Sequence, residues 1–174
     1  MALILDTGPL YASLDRSDAD HAGCRRLIET SSESIVIPSP VLVEVDYWIH
    51  ERLHVGVLLA LLDDIAAGAY RIEDLDAVAY RRVRELCDTY DDADLGFVDA
   101  AVLAVLERLG ETKLATLDER HFRAVRPRHA ASLRLLPADA YPHRHQPDCA
   151  TPIHLRQPKY TGTPRATTMR PRPA

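Results

Sequence analysis

ADLGFVDAAVLAVLERLG, residues 93–110, and KLATLDERHF, residues 113–122, carry the reading that decides the fold. The first reads as a helix over Leu95–Leu109, capped by Asp94 and stopped by Gly110. It is apolar around most of its circumference, so it belongs inside a protein rather than on its surface. The second opens with a short strand, Lys113–Thr116, and reaches the carboxylate of Asp118 one residue later. A buried helix feeding a short apolar strand is part of a βαβ unit, the repeat from which parallel sheets are built.

The same alternation extends toward the N-terminus. Ala2–Leu5 is a buried strand ending at Asp6, and Thr7-Gly8-Pro9 is expected to break the chain before a short helix over Leu10–Leu14. His21–Thr30 has the mixed spacing of an amphipathic helix. Ile35–Ile37 is a second strand, closed by Pro38-Ser39-Pro40. Ser39 followed by Pro40 is a helix-start signal, with serine as cap and proline at the first helical position. That helix runs from Val41 toward His50. Further helices are expected over Val55–Ala66 and Ala77–Tyr90, with short strands over Tyr70–Ile72 and Ser132–Leu136. The expected fold is α/β, a three-layer α/β/α domain over residues 1–142 with a mainly parallel central sheet.

Four carboxylates stand inside or directly after apolar segments: Asp6 in ALILD, Glu44 in PVLVEV, Asp99 in GFVDAAVLAVL and Asp118 in KLATLD. A carboxylate in such surroundings loses hydration, which is costly unless hydrogen bonds or a cation compensate. In open parallel sheets, ligands gather at the C-terminal ends of strands. Asp6 follows its strand directly and Asp118 follows Lys113–Thr116 by one residue, while Glu44 and Asp99 each lie five positions beyond an expected helix cap. All four are therefore directed to one rim. Oxygen ligands without histidine or cysteine at ligand spacing suit the hard cations Mg²⁺ or Mn²⁺. Such a cation orients a phosphodiester, activates water and stabilises charge on the attacking and leaving oxygens.

At these residues the sequence resembles the PIN-domain nucleases, and most closely the VapC-type toxins of bacterial toxin–antitoxin pairs. The resemblance spans about residues 2–137 and is carried by ILDTGPLYA, PSPVLVEVDYWI, ADLGFVDAAVLAVLERLG and KLATLDERHF, in that order. It implies metal-dependent endoribonuclease activity on an RNA substrate. By the same resemblance Asp6 and Asp99 are the principal metal ligands. Glu44 is the third acid, completing the hydrated shell or orienting water, and Asp118 is the fourth and more variable one. Thr7 and Thr116 are candidates to support the cluster with hydroxyls. The resemblance also implies a homodimer and a cognate antitoxin laid over the active site, with the apolar helices around Tyr47, Trp48 and Val55–Leu62 as candidate contact surfaces.

Composition sets the remaining bounds. The chain has 174 residues and a formal charge of −5, with 21 basic and 26 acidic side chains. Residues 137–174 hold 6 of the basic and 2 of the acidic groups, together with 8 of the 12 prolines. A basic, proline-rich segment so poor in aliphatic residues is expected to be disordered or loosely docked over 143–174. No apolar run approaches the ~20 residues of a membrane-spanning helix, and the N-terminus lacks the positive region of a secretory signal. Cys24, Cys87 and Cys149 show neither a disulfide framework nor metal spacing. Cytoplasmic residence without a membrane partner is expected.

Each acid also has a plainer reading. Asp6 could cap the turn after the first strand, Glu44 could face solvent beside Asp46, and Asp118 could open a charged helix. Asp88, Asp91 and Asp92 read as a solvated helix end. Arg120–His129 is basic, and reads either as a phosphate-holding rim or as a solvated surface helix. Two other functions compete: a catalytically silent PIN-like module that binds RNA or protein, and a phosphohydrolase of the haloacid dehalogenase type. The latter needs a second aspartate two residues after Asp6, where this chain has Gly8.

Overall fold

The computed structural model describes residues 1–140, so the disordered tail expected over 143–174 lies outside the described residues. Five strands form one sheet: β1 (Ala2–Leu5), β2 (Ser34–Pro38), β3 (Arg71–Glu73), β4 (Lys113–Ala115) and β5 (Arg134–Leu136). Their order is β3-β2-β1-β4-β5, and every pairing is parallel. The sheet is thus wholly, not mainly, parallel. Parallel strands are covered on both faces and read as continuous apolar runs, as Ala-Leu-Ile-Leu of β1 does, with all four residues buried.

Among the described residues seven α-helices connect the strands: α1 (Thr7–Leu14), α2 (His21–Glu29), α3 (Ser39–Arg52), α4 (Val55–Ala66), α5 (Ala77–Thr89), α6 (Phe97–Leu109) and α7 (Glu119–Ala124). The chain winds outward from β1 to β3, then crosses back to place β4 on the other side of β1. Crossovers of the usual right hand would put the helices before β3 and those after it on opposite faces of such a sheet, the arrangement of a three-layer fold. The winding reverses between β1 and β4. At such a switch point the flanking loops part and leave a crevice at the strands' C-terminal ends.

The core runs through α6, where every residue from Ala100 to Leu106 is buried. The alanines at 100, 101 and 104 let this helix lie close to its neighbours, and it contacts α3, α5, β1 and β2. Gly110 ends α6 with φ of 67°, a left-handed conformation that costs a glycine little.

Three local boundaries differ from the sequence reading. Thr7-Gly8-Pro9 does not break the chain: α1 begins at Thr7, with Asp6 as its N-cap. Pro9 falls in the first turn, where its missing N–H has no intrahelical partner to lose. Pro38, not Ser39, caps α3. Asp94 does not cap α6, because it sits at φ 57° closing the 3-10 turn Asp91–Ala93, and Gly96 takes the cap position.

Candidate active site

β1 and β4 pair with Leu5 opposite Ala115, and the next residue of each strand enters the rim. The Asp6 amide donates to the Ala115 carbonyl at 3.0 Å. Asp6 is 6% exposed, and both of its carboxylate oxygens are held: Oδ1 accepts from the Thr7 amide at 2.7 Å and Oδ2 from the Thr116 hydroxyl at 2.8 Å. Thr7 and Thr116 are themselves buried.

Both threonines reach onward to a second acid. The Thr7 hydroxyl donates to Glu44 Oε2 at 2.7 Å, tying α1 to α3. The Thr116 hydroxyl accepts from the Asp118 amide at 2.9 Å. Asp99 arrives separately as the third residue of α6, in the first turn, where the helix dipole favours negative charge. Asp6, Glu44, Asp99 and Asp118 are therefore assembled at one rim from four chain segments.

Electrostatics ties them together. Burial pushes the Asp6 carboxyl up to about 7, and the Asp99 and Glu44 charges add to the rise against the Thr116 and Thr7 hydrogen bonds. Burial likewise pushes Asp99 up to about 6, reinforced by Asp118, Glu44 and Asp94. The charged groups acting on these two acids are carboxylates, so the cluster holds more negative charge than its surroundings offset. Among the described residues, no three acidic, histidine or cysteine side chains already surround one point as a metal would require. The four acids share a field rather than a finished coordination sphere. Oxygen-only donors with surplus negative charge have the chemistry of a site for a hard divalent cation.

The acids are not equivalent. Asp118 is exposed and caps α7, accepting from the His121 amide at 3.1 Å, with His121 Nδ1 at 2.9 Å from its other oxygen. Both the capping reading and the cluster reading of Asp118 thus have a structural basis. His121, the second residue of the basic stretch Arg120–His129, is thus brought to the edge of the site through Asp118. Asp88, Asp91 and Asp92 are exposed, as a solvated helix end should be. Within the basic stretch, Arg123 is held by Glu119 and Asp139, and Arg128 by Glu85. Arg120 and Arg126 are exposed.

Gly8 has a positional role beside the cluster. A Cβ there would lie 3.3 Å from Leu117 Cβ, so glycine lets the segment between Thr116 and Asp118 lie against the start of α1.

The family model described as the PIN domain matches residues 3–127. The chain belongs to the PIN domain family. Over 135 residues this PIN domain is 31% identical to Ribonuclease VapC26 of Mycobacterium tuberculosis, covering 78% of the chain and 100% of that protein. Among solved structures it is similar to VapC20 of M. tuberculosis, described as a Sarcin-Ricin loop cleaving toxin. There the TM-score is 0.63 and identity 23%, covering 72% of this chain and 99% of the other. VapBC2 from Rickettsia felis, bound to a DNA fragment from its promoter, gives a TM-score of 0.58 at 18% identity, over 78% and 98% of the two chains. FitAcB from Neisseria gonorrhoeae gives 0.54 at 17%, over 76% and 95%. These three likenesses show a shared fold.

Proposed function

We propose that this PIN domain is a divalent-metal-dependent endoribonuclease acting as the toxin of a toxin–antitoxin pair. The observation that carries the reading is the carboxylate cluster at the β1/β4 switch point, with Asp6 and Asp99 pushed toward neutrality by burial and by neighbouring carboxylates. Alignment with a ribonuclease over that protein's whole length supports the reaction class.

Asp6 and Asp99 would hold Mg²⁺, with Mn²⁺ as a substitute, and Glu44 and Asp118 would complete its hydrated surroundings. Bound there, the cation would supply water activation and charge stabilisation on the phosphate oxygens. The chain's own contribution is positioning. The Thr7 amide and the Thr116 hydroxyl fix the Asp6 carboxylate plane. The Thr7 hydroxyl fixes one oxygen of Glu44 and leaves the other to orient the attacking water. Arg120 and Arg126 would receive RNA phosphates beside the acids.

Partners follow from the exposed apolar face of α3 and α4. Val43, Tyr47, Val55, Leu59 and Leu62 are exposed there and would be covered by an antitoxin segment or by a second copy of the chain. Trp48 is not part of that face: it is buried, with the Arg52 guanidinium 4.5 Å from its ring centroid. No helix among the described residues is long and apolar enough to cross a membrane. Metal-dependent cleavage of bulk RNA, set against hydrolysis of a generic phosphomonoester, tests the activity. Cleavage of RNA alone supports the ribonuclease, phosphomonoester turnover alone supports the dehalogenase-type alternative, and RNA binding without cleavage supports the silent module.

A further inference from the structure

Tyr80 on α5 and Phe97 on α6 lie with ring centroids 6.5 Å apart and planes 22° from parallel. Tyr80 is 55% exposed and Phe97 49%, and neither belongs to the hydrophobic core. Phe97 is the first residue of α6, two before Asp99. The start of α6 therefore borders the carboxylate cluster, and Tyr80 adjoins it through the ring of Phe97.

The flank of α5 that bears Tyr80 carries positive charge. Arg84, four residues after Tyr80, projects from the same helix face. It is exposed, as is Arg81, and no ion pair engages either of them among the described residues. Arg82, by contrast, is committed to Glu107 and Glu85. Paired aromatic rings next to uncommitted arginines are the chemistry that receives an unpaired nucleotide: the base stacks on the rings and the phosphate meets the cation. A protein partner would call instead for a broad apolar face, and the chain offers that on α3 and α4.

We infer that Tyr80 and Phe97 form a stacking platform for an unpaired base of the RNA strand beside the scissile phosphate, with Arg84 holding a neighbouring phosphate. This rests on the ribonuclease reading of the adjacent acids.

The test is fluorescence anisotropy of a short fluorescein-labelled single-stranded RNA of mixed sequence, titrated with the full chain in EDTA so that binding is read apart from cleavage. Tyr80→Leu should raise Kd ~10-fold, the cost of one lost base–aromatic stack, whereas Tyr80→Phe should stay within about twofold of wild type. Arg84→Met should weaken binding and make it less salt-dependent by about one phosphate contact. Wild-type Kd in Tyr80→Leu overturns the inference. So does a changed sedimentation coefficient in that variant with RNA binding intact, which would assign the rings to a protein interface. Mg²⁺-dependent cleavage by the wild type is measured in parallel. Its absence, with binding still sensitive to Tyr80→Leu, removes the ribonuclease reading and leaves the stacking surface. Intact cleavage with insensitive binding removes only the stacking surface.

Discussion

Thr116 and Asp6 share a buried hydrogen bond of 2.8 Å, and the same threonine hydroxyl accepts from the Asp118 amide. One side chain at the end of β4 thus orients a metal-ligand candidate and anchors the loop that bears another acid. Thr116→Val keeps the shape and removes both bonds. Cleavage should fall about 10- to 100-fold, as expected when a residue behind a metal ligand is lost, with half-maximal Mg²⁺ moving upward. Stability should fall by about 1–3 kcal/mol, because the part-buried Asp118 amide and the buried Asp6 carboxylate each lose a partner. A Mg²⁺ titration of the cleavage rate, with a urea melt, checks both.

The acid cluster should make the metal-free protein less stable as pH rises. The folded pKa values of Asp6 and Asp99 are raised, to about 7 and about 6, above an ordinary carboxylate's. Their contribution is fully present below pH ~4 and is lost as pH climbs through those two values. Thermal melts in EDTA should show Tm falling between pH 5 and pH 8, with Mg²⁺ restoring it at pH 8. Asp6→Asn should flatten the profile. A Tm that climbs steadily over this range in EDTA would contradict the assignment.

Asp118 is exposed and half committed to capping α7. Asp118→Asn retains an oxygen for the cap and should keep activity within about 10-fold of wild type. Asp118→Ala also loses the cap, worth about 1 kcal/mol. Comparing initial cleavage rates with melting temperatures for the two variants separates the roles.

Arg82 binds both oxygens of Glu107, linking α5 to α6, and Glu107 also accepts from the Arg128 amide. These bonds hold its carboxyl below the usual range against the opposing effect of burial. The contribution is present above pH ~4.5 and is lost as pH falls through the depressed value. Glu107→Gln should cost about 1–3 kcal/mol at pH 7 and progressively less as pH is lowered below ~4.5, as a series of urea melts across that range would show.

Much of this was legible in the chain. Ala2–Leu5, Val55–Ala66 and the Gly110 stop were readable because continuous apolar runs and a left-handed glycine leave few alternatives. The convergence of Asp6, Glu44, Asp99 and Asp118 was readable too, since strand ends and early helix turns share one edge of a parallel sheet. What eluded reading was governed by contacts distant in sequence or by turn geometry. Asp94 has the composition of a cap but closes a 3-10 turn instead, and Gly96 starts the helix. Asp6 ends a strand and caps α1 at once, so Thr7-Gly8-Pro9 continues as helix where composition alone suggests a break. The bond between Thr7 and Glu44 spans 37 positions, and no local pattern announces it.

The central claim is that four carboxylates act as one metal-dependent RNA-cleaving site. The most direct measurement is the initial rate of RNA cleavage for wild type, Asp6→Asn and Asp99→Asn, each with Mg²⁺ and with excess EDTA. Wild type should cleave with Mg²⁺ and stop in EDTA, and either substitution should lower the Mg²⁺-supported rate at least ~100-fold, as loss of a key charge-stabilising group does. Cleavage that survives EDTA, or an Asp99→Asn variant as active as wild type, would contradict the account.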